Sequence, residues 1–238
     1  MGANGESFSK LYGRNIVMIG INIEEIYQSA LKRKRTLASY TEWNDLYPVE
    51  QMILSKEISH ADSIIEFGCG AGRIFNYLYY TLNCKDYVGL DISREMLKVA
   101  KKKYPIGNFK YADVASKELP IEKHFSKILF MHNGIDTIYP KERRVTVFRN
   151  ARLFMANGGQ LIYSTHILKE SPESVICSGE HKYFEEDYHG AKIWIHRSTE
   201  FEAVEEAIAN GFTIISKYVQ DKGTDSWLYL VVMNDVSS

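Results

Sequence analysis

Ser63-Ile64-Ile65-Glu66-Phe67-Gly68-Cys69-Gly70-Ala71-Gly72 is the stretch on which the fold turns. Its first half is a short apolar run, the pattern of a strand buried on both faces, and its second half is a glycine cluster that ends the strand. Glycines there let the backbone turn sharply and approach a ligand with no Cβ between them. A dinucleotide loop has the spacing G-x-G-x-x-G; here it is G-x-G-x-G, with Arg73 next. The N–H groups of a following helix favour a negative group such as a carboxylate. Glu66, just before the loop, repels a pyrophosphate and suits a ligand that carries an ammonium group.

Downstream of this stretch, strands and helices alternate. Tyr87 to Asp91, Asn108 to Tyr111, Lys127 to Met131 and Gln160 to Thr165 read as further strands. Ser93 to Lys103 reads as a helix, with Ser93 as N-cap and Met96, Leu97 and Ala100 on one face. Pro140 to Met155 and Thr199 to Asn210 are helical, each ending near glycine. Phe212 to Val219 and Trp227 to Met233 are the last strands, joined by a link too short for a helical crossover, so they form an antiparallel pair. The expected fold class is therefore α/β: a doubly wound, seven-stranded, mostly parallel sheet with a final antiparallel strand.

Upstream, Ile23 to Arg35 and Trp43 to Ile58 read as helices, the second shortened or kinked at Pro48. Residues 1–59 are thus expected to form a tail and helical cap, and residues 60–238 the main domain. Residues 166–198 break the alternation. His181 to Glu185 and Ala191 to Arg197 read as two short strands around His189-Gly190, a hairpin inserted on the substrate side of the site.

Composition excludes several classes. With 45% hydrophobic and 25% charged residues, the 238-residue chain is an ordinary globular one. A formal net charge of −1 supplies no global field for nucleic acid or an acidic membrane surface, and the basic run Lys32 to Arg35 is local. Cys69, Cys84 and Cys177 are few and scattered, so neither a disulfide framework nor a metal site is expected, and a cytoplasmic setting is. No apolar stretch approaches the ~18 residues of a membrane span. The sequence leaves the oligomeric state open.

Two aspartates extend the glycine-loop argument. Asp91 closes the second strand, where a carboxylate can accept both hydroxyls of a ribose. Asp113 follows the third strand, within reach of an adenine amino group. One aspartate at a strand end is an ordinary turn or cap residue; an ordered set at successive strand ends is not. Glu-x-Gly-x-Gly-x-Gly at 66–72, Gly89-Leu90-Asp91-Ile92-Ser93, Ala112-Asp113-Val114, Asn157-Gly158-Gly159 and Gly211-Phe212 together resemble the successive motifs of class I S-adenosylmethionine-dependent methyltransferases over residues 60 to 235.

That resemblance implies S-adenosylmethionine as cofactor and S-adenosylhomocysteine as product. It places Glu66, Gly68 and Gly70 at the methionine part, Asp91 at the ribose and Asp113 at the adenine, with Arg73, Ile92, Met96, Val114 and Asn133 also at the cofactor. His132 and His166 end the fourth and fifth strands, which face one crevice, so both are candidate bases, His132 the favoured one. Near-neutral charge points to a small-molecule acceptor, a sugar or other metabolite, methylated at oxygen or nitrogen. A non-catalytic cofactor-binding subunit and an enzyme acting on tRNA or protein are the alternatives.

Overall fold

A computed structural model describes residues 38, 41–168, 183–188, 191–221 and 226–234. The helix expected over Ile23 to Arg35, and Cys177, lie outside the described residues. Strand β1 (Ser63–Phe67) is followed by a short helix α2 (Arg73–Asn76) that continues as a π-turn to Thr81; helix α1 (Pro48–Glu57) precedes both. Then come β2 (Asp86–Asp91), α3 (Arg94–Lys103), β3 (Phe109–Tyr111) and β4 (Phe125–Phe130). A 3-10 turn (Gly134–Thr137), α4 (Lys141–Phe154) and the long β5 (Met155–Ile167) follow. A separate two-stranded sheet of β6 (Tyr183–Tyr188) and β7 (Ala191–His196) leads to α5 (Glu200–Ala209), β8 (Phe212–Gln220) and β9 (Ser226–Asn234).

The main sheet has seven strands in the order β3-β2-β1-β4-β5-β9-β8. The first five run parallel, while β9 lies antiparallel between β5 and β8. This is the expected fold class, including the antiparallel final pair. Alternate residues of each strand feed two cores. Ile65, Phe67, Ile128, Phe130, Leu228 and Leu230 meet α4 and α5 through Phe148, Ala151, Ala203 and Ala207. Ile64, Leu129, Tyr229 and Val231 meet α1, α2 and α3 through Ile53, Leu54, Ile74, Phe75 and Leu97. Such doubled burial is why the strands read as continuous apolar runs.

Two boundaries differ from the sequence reading by five residues, the others by three at most. Helix α1 begins at Pro48, not at Trp43, because the residue before a proline is pushed out of the helical region; Tyr47 is extended at φ −63°, ψ 148°. Its N–H is instead held by the Glu50 carboxylate at 2.9 Å. Strand β5 starts at Met155, not Gln160: Met155 pairs with Phe125, and the register then jumps to Gln160 opposite Lys127. Asn157-Gly158-Gly159 lies inside that irregularity, with Gly158 at φ 71°. The Ser93 cap is as expected, and a second cap opens α5. Ser93 Oγ accepts the Met96 N–H, and Thr199 and Glu202 bond reciprocally at the start of α5. The inserted hairpin is present as the antiparallel pair β6–β7, its first strand Tyr183–Tyr188 where His181 to Glu185 was read.

Candidate active site

The parallel strands deliver their carboxyl ends to one edge of the sheet, and a cleft of about 980 Å³, counting its open mouth, sits there. Gly68 and Gly70 form its floor, at φ 68° and 53°. A Cβ on Gly68 would come within 3.1 Å of the Phe130 ring, whereas Gly70 faces open space. The loop is tied to β2 by the Cys69 N–H on the Leu90 carbonyl and the Gly70 N–H on Asp91 Oδ2, at 2.9 and 2.7 Å.

Asp91 is buried in the wall, and its other oxygen accepts the Ser93 N–H at 2.7 Å. Burial pushes its carboxyl above the ordinary value, against the N–H bonds from Ser93, Gly70 and Ile92. Ligand hydroxyls donating to this carboxylate would offset that desolvation. Ile92, Met96, Ala112 and Val114 supply an apolar slot next to it, and Asp113 closes the slot. Asp113 is already engaged: Oδ1 accepts the Ala115 N–H at 2.9 Å, and Oδ2 is paired with Arg143. The acidic wall, apolar slot and glycine floor fit S-adenosylmethionine.

Of the residues expected at the site, Gly68, Gly70, Asp91, Ile92, Met96, Asp113, Val114 and His132 line the cleft. Four do not. Glu66 lies beneath the loop, buried, with its carboxylate on the Tyr87 hydroxyl. Burial drives its carboxyl up to about 8, although the Tyr87 bond and the Arg73 charge pull the other way. Arg73 is drawn away by the cap: its guanidinium grips Glu50 in two bonds of 2.6 and 2.9 Å and lies 4.6 Å over the Trp43 ring. Asn133 and His166 sit behind the wall, bonded to each other at 3.2 Å.

His132 is half-buried in the wall among aromatic rings, with centroids 4.8 Å to Trp43, 5.2 Å to Trp227 and 6.3 Å to Tyr47. Both His132 and Asn133 have positive φ, 56° and 55°, a costly backbone for consecutive non-glycine residues and one that recurs at functional sites.

Sequence reasoning missed two residues. Asp136 is wholly buried and accepts the His166 ring Nδ1–H and the His166 backbone N–H, both at 2.7 Å. Thr165 Oγ1 donates to its other oxygen at 2.6 Å, 3.5 Å from Arg144. Burial would raise the Asp136 carboxyl, but His166 and Arg144 hold it below the ordinary carboxylate value. Arg143, paired with Asp113, is the second. A signal for these partners was present: Arg143 and Arg144 stand in the first turns of α4, where the helix dipole disfavours cations, so anionic partners are demanded. Arg144 meets its own in Asp136 and Glu206.

Residues 64–159 match the family described as "Methyltransferase domain". Over that stretch the chain is similar to a methyltransferase domain, and its fold is that of class I methyltransferases. Over 156 residues it is 26% identical to a malonyl-[acyl-carrier protein] O-methyltransferase of a Marinomonas species, covering 61% of this chain and 57% of that relative. Over 113 residues it is 26% identical to the ubiquinone/menaquinone biosynthesis C-methyltransferase UbiE of Campylobacter jejuni, covering 45% of this chain and 46% of the relative. The chain thus spans about half the length of these two curated relatives. A TehB-like S-adenosylmethionine-dependent methyltransferase from Corynebacterium glutamicum superposes with a TM-score of 0.59 at 19% identity. It covers 90% of this chain and 100% of that one, a likeness of fold. Among the described residues no helix is long and apolar enough to cross a membrane.

Proposed function

We propose that this protein transfers a methyl group from S-adenosylmethionine to an oxygen or nitrogen nucleophile of a small molecule. The observation that carries the reading is a single cleft at the carboxyl edge of the sheet, in which the glycine floor, the Asp91 carboxylate and His132 all take part. The relatives named above differ in the atom their names give as methylated, oxygen in one and carbon in the other, so the acceptor is argued from this chain alone.

The cofactor, when bound, supplies a methyl group already activated on a sulfonium centre. The residues then have two tasks. Gly68, Gly70 and Asp91 fix the donor rigidly, since alignment of donor and nucleophile supplies much of the rate. His132 is held in the cleft wall by the rings of Trp43, Tyr47 and Trp227 packed against it. The hairpin β6–β7, following β5 at the same edge, is assigned to the acceptor and not to the cofactor.

Calorimetric titration with S-adenosylmethionine and with NAD tests the first half: binding of the former at micromolar strength and no response to the latter are expected. Replacing Ser171 to Gly190 by a short glycine linker tests the second. Transfer should be lost with cofactor affinity near normal; transfer at full rate would remove the hairpin from acceptor recognition.

A further inference from the structure

We propose that Arg143 is a cofactor-recognition residue: with Asp113 it forms a reader for the amino edge of adenine, and the pair makes the cleft select a 6-amino purine over a 6-oxo purine. This rests on the methyltransferase reading above. The family resemblance puts Asp113 at the base and gives Arg143 no part.

Two neighbouring arginines stand at the start of helix α4 and point different ways. Arg144 turns inward, 1% exposed, onto Glu206 and Asp136. Its buried pairs fix the beginning of the helix. Arg143 turns to the cleft and lines it. Its guanidinium donates to Asp113 Oδ2, at the end of the slot formed by Ile92, Met96, Ala112 and Val114. Each side chain of that pair is 26% exposed.

Bracing does not account for the pair. The loop after Asp113 is already fastened to α4 by Asn150, whose buried amide donates to the Val114 and Ser116 carbonyls at 2.9 and 2.7 Å. Asp113 is fixed from its own side by the Ala115 N–H on Oδ1 at 2.9 Å. A partly exposed ion pair adds little stability, and a cation in the first turn of a helix opposes the dipole.

What the pair supplies is an acceptor beside a donor. Oδ1 of Asp113 spends one of its lone-pair sites on the Ala115 N–H and keeps another. The guanidinium carries five N–H groups in one plane, more than one carboxylate oxygen takes up. The amino edge of adenine has the matching pattern: N6–H donates, and the ring nitrogens N1 and N7 to either side accept. Asp113 takes the amino hydrogen, and Arg143 donates to the adjoining ring nitrogen. A 6-oxo purine turns an oxygen towards the carboxylate and loses that bond. The apolar slot holds the faces of the base while the pair reads its edge.

The test is calorimetric and needs no methyl acceptor. S-adenosylhomocysteine, its 1-deaza and 7-deaza analogues, and S-inosylhomocysteine, which carries a 6-oxo purine, are titrated into wild type, Arg143→Met and Arg143→Lys. Wild type should bind S-inosylhomocysteine about 5–150-fold more weakly than S-adenosylhomocysteine, the scale of losing one paired base edge. It should bind one of the two deaza analogues about tenfold more weakly, the scale of a bond from a charged donor. Arg143→Met should no longer distinguish that analogue from S-adenosylhomocysteine. Arg143→Lys, a charge without the planar fork, should keep only part of the distinction, and it carries the comparison if Arg143→Met does not fold. Wild type that binds both deaza analogues as tightly as S-adenosylhomocysteine overturns the proposal, and so does a variant that discriminates as wild type does. Equal loss of affinity for all the ligands in Arg143→Met would make Arg143 a brace and overturns it too. No binding of S-adenosylhomocysteine at all would defeat the methyltransferase reading and the proposal with it; binding without discrimination defeats the proposal alone.

Discussion

Replacing Arg73 by Met separates two roles for this residue, cofactor ligand and clamp. The structure makes it a clamp. Its guanidinium satisfies a Glu50 carboxylate that has no solvent exposure, reaches the Asp45 carbonyl at 3.2 Å and covers the Trp43 ring. Breaking a buried pair by removing one partner costs roughly 3–5 kcal/mol, mostly the stranded charge. Glu50 keeps the Tyr47 N–H at 2.9 Å, and Met retains part of the packing, so the lower end applies, about 3 kcal/mol. For a chain of this length that lowers Tm by about 6–12 °C. Urea unfolding and a thermal scan measure the loss, and calorimetry measures S-adenosylmethionine affinity on the folded variant. The double variant Glu50→Leu, Arg73→Met should recover most of the stability, since the stranded charge is gone. A stability loss under about 1 kcal/mol, the scale of an exposed pair, together with a tenfold loss of affinity would refute the clamp.

Asp91→Ala should weaken S-adenosylmethionine binding by about 1–3 kcal/mol, the scale for losing bonds to a charged group, and unchanged affinity by calorimetry would remove the ribose assignment. Glu66 carries a pH prediction. Between 4.5 and about 8 the folded protein holds a proton on this carboxyl that the unfolded chain has released, so stability falls as pH rises through that window. Urea unfolding across the window should show a weaker decline in Glu66→Gln, and parallel wild-type and variant curves would exclude Glu66 as the source. Gly134→Ala would place a Cβ 2.3 Å from the Phe130 ring, inside the core, so a destabilisation of about 1–3 kcal/mol is expected by denaturant titration.

Much of the sheet was legible because its strands are buried on both faces. Runs such as Lys127 to Met131 admit no other reading when turn residues bound them, and β1 matches residue for residue. The boundaries that moved did so for local reasons: proline chemistry at Tyr47-Pro48 and a register jump around Gly158-Gly159. Residues placed by the end of a strand, such as Asp91 and Val114, lined the cleft. Residues with long side chains did not. Arg73 follows its glycine loop in sequence, yet a buried carboxylate 23 positions upstream claims its charge. Asp136 went unnoticed because its partners, His166 and Arg144, reach it only through the pairing of β4 with β5 and the packing of α4.

The strand order has a consequence for how the chain is made. Strand β9 follows β8 in the chain yet lies between β5 and β8, and its residues from Ser226 to Val232 are all buried. Until it emerges, β8 has no neighbour in the sheet and β5 presents an unpaired backbone edge flanked by Leu161, Ile162 and Tyr163. A nascent chain stopped before residue 226 therefore displays a template for pairing with other chains, so the interval before β9 is added is the period of greatest exposure to aggregation and to chaperone capture.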